Sequence, residues 1–141
     1  MEKKKASMNT LTTAIIGAFL LCLAAIGCSR SDNSFDKQLL QTAEEINKNC
    51  PIMVDKHTRL DNTLGGPGRR FTYNYTFVNF SADDLDKDEF ISRMKLNMVN
   101  NIKTNKDMEA LRNKNVKMIY VYKSKDQKEF ARIVVSPSDY K

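Results

Sequence analysis

Cys50, Asp55, His57 and Asp61 bring a thiol, an imidazole and two carboxylates into one short stretch. Nucleophilic catalysis uses those groups: a thiolate attacks, a histidine takes its proton and a carboxylate orients the ring. The spacing is too local for such a site, and no oxyanion donor can be named beside it. His57 is therefore expected to be exposed or structurally bonded, and Cys50 to pack at a helix end; no catalytic residue is assigned. Asp83, Asp84, Asp86, Asp88 and Glu89 crowd carboxylates as calcium sites do. They lack the central glycine and the twelfth-position glutamate of an EF-hand loop, so they are expected to serve a helix N-terminus. One histidine and one free thiol are too few to hold zinc. No metal and no cofactor is expected.

Gly65-Gly66-Pro67-Gly68-Arg69-Arg70 joins glycines to two cations. A phosphate loop needs a strand before it and a helix after it. Here a strand pattern follows, which predicts a hairpin turn and leaves Arg69 and Arg70 as candidate contacts for an anion. Phe71, Tyr73, Tyr75 and Phe77 alternate with Thr72, Asn74, Thr76 and Val78. Tyr73 and Tyr75 are thus candidates for a binding platform, although such a row more commonly forms the core face beneath helices. Met94 and Met98 are expected to fill the core.

The elements that must position these residues follow from periodicity. Phe35, Leu39, Ala43 and Ile46 share one helical face, with Ser34 as N-cap and Pro51 as stop. Residues 52–64 are expected to be extended, and the alternating 69–80 is the clearest strand, giving a first hairpin. Ser81 to Asp84 resembles a capping box. Residues 87–104 form an amphipathic helix with Ile91, Met94, Met98 and Ile102 as its stripe, and 105–113 a second short helix. Val116 to Tyr122 and Glu129 to Ser136 make a second hairpin, ended by Pro137. The expected fold is α+β in the order α-β-β-α-(α)-β-β. Two hairpins would build an antiparallel four-stranded sheet with helices packed on one face. No parallel crossover is expected.

The N-terminal 28 residues follow another logic. Lys3, Lys4 and Lys5 give a positive start, residues 11–26 are apolar apart from Thr12 and Thr13, and small Gly27 precedes Cys28. This is the pattern of an export signal. Ala25-Ile26-Gly27-Cys28 further resembles the lipobox of bacterial lipoproteins. The resemblance implies cleavage before Cys28 and acyl chains, palmitate among them, on that cysteine. With Ser rather than Asp at position 29, it implies for an enteric bacterium the outer membrane, facing the periplasm. The competing reading is an uncleaved membrane anchor, since about 17 apolar-compatible residues reach the short edge of a bilayer span. With Cys28 lipidated, Cys50 is the one free thiol; unmodified, Cys28 could bridge to Cys50. The expected organisation is a signal peptide at 1–27, a lipidated tether at 28–34 and a single small domain at 35–141.

The charge is +6, of which Glu2 and the three lysines supply +2, leaving +4 spread along the remainder. That favours anionic head groups or acidic partners and does not form a nucleic-acid-binding stripe. With 41% hydrophobic residues, the chain is ordinary for a globular protein. The expected function is that of a membrane-anchored envelope lipoprotein, not an enzyme, whose domain binds another envelope component: an assembly factor, an inhibited protein or the cell wall. The alternative is a carrier of a small ligand or lipid in a cleft between sheet and helices.

Overall fold

A computed structural model describes residues 32–141. The first helix, α1, spans Asp32–Asn47. It begins before Ser34, so the last residues expected in the tether already belong to the helix. Phe35, Leu39, Ala43 and Ile46 are its buried face, as their spacing requires.

The segment expected to be one strand from 52 to 64 is two. Strand β1 (Ile52–Met53) folds back on β2 (Thr58–Gly66), pairing Ile52 with Leu60 and Met53 with Arg59. The reversal is built by Asp55, whose Oδ1 accepts from the N–H groups of His57 at 2.7 Å and Thr58 at 2.8 Å. An aspartate that bonds its own backbone two or three residues on is a turn former, and that signal was available in the sequence.

Strand β3 (Arg70–Phe77) completes the first hairpin with β2, and β4 (Lys117–Lys123) and β5 (Glu129–Val135) form the second. The sheet has five strands in the order β1-β2-β3-β4-β5, and β3 and β4 run parallel. This corrects the four-stranded antiparallel sheet and the absence of a crossover. The physical reason is α2 (Lys87–Thr104), 18 residues long and so about 27 Å from end to end. A helix as long as the strand before it returns the chain to the end where that strand began, and the next strand must then run parallel.

The join is made by aromatic pairs. Tyr73 lies opposite Tyr120 and Tyr75 opposite Tyr122 in the register, with ring centroids 5.4 and 5.1 Å apart and ring planes within 7° and 17°. Phe77 packs against Tyr122, Phe90 and Phe130. On α2 the buried residues are Phe90, Met94, Met98 and Ile102; Phe90 heads the stripe, and Ile91 lies only partly buried at its flank. Asp86 caps this helix, accepting from the N–H of Glu89 at 2.9 Å. The Arg112 guanidinium closes its far end by donating to the carbonyls of Ile102 and Asn105. Arg112 lies on the short helix α3 (Glu109–Asn113), after which Asn115 turns the chain with φ 57°. The chain closes with α4 (Pro137–Tyr140), whose Tyr140 hydroxyl donates to Val116 O at 2.8 Å.

Candidate functional site

The structure gives each residue of the thiol–imidazole–carboxylate stretch a separate task. Asp55 holds the β1–β2 turn, as described. The His57 ring lies 5.0 Å from Phe80, with Nδ1 3.1 Å from the Asn79 amide nitrogen. Asp61 accepts from Arg59 Nε at 2.7 Å and from the Thr76 hydroxyl at 2.6 Å. Cys50 is partly buried, and burial, with the Asp61 carboxylate second, raises its thiol pKa. A nucleophilic cysteine needs the opposite shift.

The acidic run has equally local work. Ser81 N–H donates to Asp84 Oδ2 at 2.7 Å, in the expected capping box, and Asp86 caps α2. Among the described residues, no three His, Cys, Asp or Glu side chains converge as metal ligands would.

The glycine-rich turn does meet an anion, and the anion is the protein's own. Asp36 on α1 accepts from Gly68 N–H at 3.0 Å and Arg69 N–H at 2.9 Å, one carboxylate oxygen each. Gly68 and Arg69 both have positive φ, 75° and 54°, which turns their N–H groups toward that carboxylate. Glycine adopts this backbone readily; arginine does so at a cost. Arg69 also donates from Nη1 to Lys114 O at 3.2 Å, and its carbonyl accepts from Lys117 N–H at 2.8 Å. Arg70 is exposed, with Nε donating to Pro67 O at 3.1 Å.

Tyr73 and Tyr75 are only 7% and 3% exposed. They belong to the core face, so an open platform at these rings is corrected by their burial beneath the helices. Burial holds both hydroxyls well above the ordinary tyrosine pKa. The expected cleft between sheet and helices is filled: the rings of β3 and β4 pack with Met94, Met98 and Leu39 in one buried cluster.

The site that sequence reasoning missed lies on the other face of the sheet, which carries no helix among the described residues. A wide, open concavity there is lined by Pro51, Arg59, Asp61, Asn62, Leu64, Asn74, Lys123 and Gln127. Its floor is tied by the Asp61 bonds already given and by Asn74 Nδ2 donating to Asn62 Oδ1 at 2.8 Å. The ladder is irregular between Leu60 and Asn62. A bulge of this kind re-aims side chains at a sheet edge, here the Asp61 carboxylate toward both its partners. Alternation along β3 did place Asn74 opposite the core. What it could not give was the surface these residues share. The concavity can hold a polar chain segment or a mixed-charge protein surface.

Cys28 and the apolar segment before it lie outside the described residues. Among the described residues, no helix is long and apolar enough to cross a membrane.

Residues 34–131 match the family described as a domain of unknown function, DUF8479. No curated protein matches the chain. Three solved structures share its fold. A Pseudomonas aeruginosa protein described as secreted gives a TM-score of 0.63 at 14% identity, over 82% of this chain and 100% of that one. The pilotin of the Vibrio vulnificus type 2 secretion system gives 0.61 at 6% identity, over 77% and 94%. The type II secretion pilotin of Vibrio cholerae gives 0.56 at 8% identity, over 76% and 93%.

Proposed function

We propose, from the premise that the chain belongs to the DUF8479 family, that it is an envelope lipoprotein. Acyl chains on Cys28 hold it, and its domain binds another envelope protein without performing chemistry on it. The observation that carries this reading is the meeting of two independent signals. One is the lipobox-like Ala25-Ile26-Gly27-Cys28. The other is a fold, beginning a few residues later, that is shared with two type II secretion pilotins. The separate surroundings of Cys50, His57 and Asp61 support a binding rather than a catalytic role. The partner surface is the open face of the sheet around Asn62 and Asn74, where the polar network is fixed before any partner arrives. Preorganised polar groups of this kind lower the ordering cost of association. The partner is a component of an envelope assembly or secretion machine, by analogy with the pilotins.

Intact mass measurement of the chain expressed with its native N-terminus tests the anchor. A product beginning at Cys28 with added acyl mass is expected, and Cys28→Ser is expected to release the protein from the membrane fraction. A photo-cross-linker at Asn62 tests the partner, with a discrete adduct to one envelope protein expected. An uncleaved, unacylated chain would overturn the anchor. A co-purifying small ligand with no protein adduct would overturn the protein-partner reading.

A further inference from the structure

We infer that the end of the domain carrying Arg69, Arg70, Lys114 and Lys117 lies against the phosphate-bearing head groups of the membrane that holds the anchor. The open sheet face is thereby fixed in orientation. This rests on the lipoprotein reading and deepens it.

The first argument is reach. Three residues separate Cys28 from Asp32, where α1 begins. Four chain steps extend at most about 14 Å. The start of α1 is bound to the glycine-rich turn through Asp36, Gly68 and Arg69. An acyl anchor on Cys28 therefore keeps this end, and not the Ser124–Lys128 end, within one or two head-group diameters of the bilayer.

The second argument is charge. Arg70 and Lys117 are exposed and directly opposite in the β3–β4 register. Like charges facing across a ladder repel, and an apposed anionic surface turns that repulsion into attraction. Lys114 is exposed beside them, its ammonium 5.8 Å from the Phe35 ring centre on α1. The Asp36 carboxylate, bonded to the turn's N–H groups, keeps its charge at this end and offsets part of the basic rim without cancelling it.

The third argument is the apolar content next to the cations. One pair further along the same face, Leu64 stands 59% exposed, opposite Thr72. Leu40, 47% exposed, follows the point at which α1 touches Gly65. A basic rim with exposed leucines matches the head-group and acyl boundary of an anionic leaflet.

The chain has no tryptophan, so Leu64→Trp supplies a single indole. The acylated full chain is placed in phosphatidylcholine vesicles with brominated acyl chains, with or without phosphatidylglycerol. Quenching is expected only with phosphatidylglycerol and is expected to fade as salt rises. Arg70→Gln and Lys117→Gln should each lower the docked population roughly fivefold. Asp126→Trp, at the opposite end, should stay unquenched. Asn113→Trp, beside Lys114, is the second reporter should the first variant fold poorly. An acylated chain whose indole is unquenched at both 64 and 113, or quenched regardless of lipid charge, would overturn this inference alone. A chain without acyl mass would overturn the anchor and this inference with it.

Discussion

Tyr122 shows how closely the centre of the domain is specified. Its ring stacks on Tyr75 and Phe77 and meets Phe90 edge-on, while its hydroxyl is buried with no hydrogen-bond partner among the described residues. The residue therefore contributes as a ring, and its oxygen brings a desolvation cost that no bond offsets. Tyr122→Phe keeps every ring contact and should leave stability unchanged within about 1 kcal/mol or raise it, read as the urea midpoint. A loss of several kcal/mol would mean that the hydroxyl is bonded in solution. Burial of Phe71, Tyr73, Tyr75 and Phe77 was legible from period-two alternation alone. The occupation of the glycine-rich turn by Asp36 was not, because the two lie 32 residues apart and no local pattern connects them. The same limit applied to His57 and Cys50. Closeness in sequence argued against a catalytic site there, and the β1–β2 reversal gave each residue different neighbours.

Among the elements, α1 depends on one small residue. A Cβ on Gly65 would overlap the backbone carbonyl of Leu39 and come within 2.6 Å of Leu40 N. No side chain can rotate away from a backbone clash, so the helix would have to lift off β2. It would then strain the bonds from Asn47 to the backbone of Thr63. Gly65→Ala should cost about 3 kcal/mol, the upper part of the range for overpacking. Gly66, with open space around a built Cβ, is the control; an equal cost at both positions would remove the packing explanation. Helix α4 gives a pH-dependent term. Asp139 accepts from Ser136 N–H at 2.7 Å and pairs with Lys95 at 3.2 Å, and these contacts, the backbone bond first, lower its pKa. A carboxylate with a depressed folded pKa contributes stability that is fully present above its unfolded pKa and is lost as pH falls through the folded value. Denaturation at a series of pH values should therefore show a shallower acid-side loss for Asp139→Asn than for the wild type, with the two curves converging in acid. Parallel curves would assign Asp139 no role. The limits of α2, the capping box and both hairpins were readable from the sequence, since each is set by neighbours a few residues apart; the start of α1 ahead of Ser34 and the closing helix α4 were not. The short β1 was not, being a two-residue strand with no periodicity of its own.

At the scale of the whole molecule, the sequence supplied the pieces and missed how they join. Both hairpins were visible, and the direction of their union depended on α2. An 18-residue helix between two strands is itself the signal of a parallel crossover, and weighing its length against that of β3 would have found it. The open face, with its concavity, is likewise a property of the assembled sheet. It arises because α1 and α2 cover the same side, leaving the other without a helix among the described residues.

The β3–β4 join has a consequence for how the chain reaches its fold. Arg70 and Lys117 are 47 positions apart, whereas each hairpin closes over a few residues. Short-range hairpins form in microseconds, and long-range parallel pairing waits on the closure of the intervening loop. During that interval, each hairpin presents an unpaired edge lined with tyrosines. Two chains meeting then could exchange their β4–β5 hairpins and complete the same ladder between molecules. Such a swap would give an interlocked dimer, each half as well paired as the monomer. Dilution, or attachment of single chains to a surface while they fold, favours the monomer by leaving each β3 only its own β4 to meet.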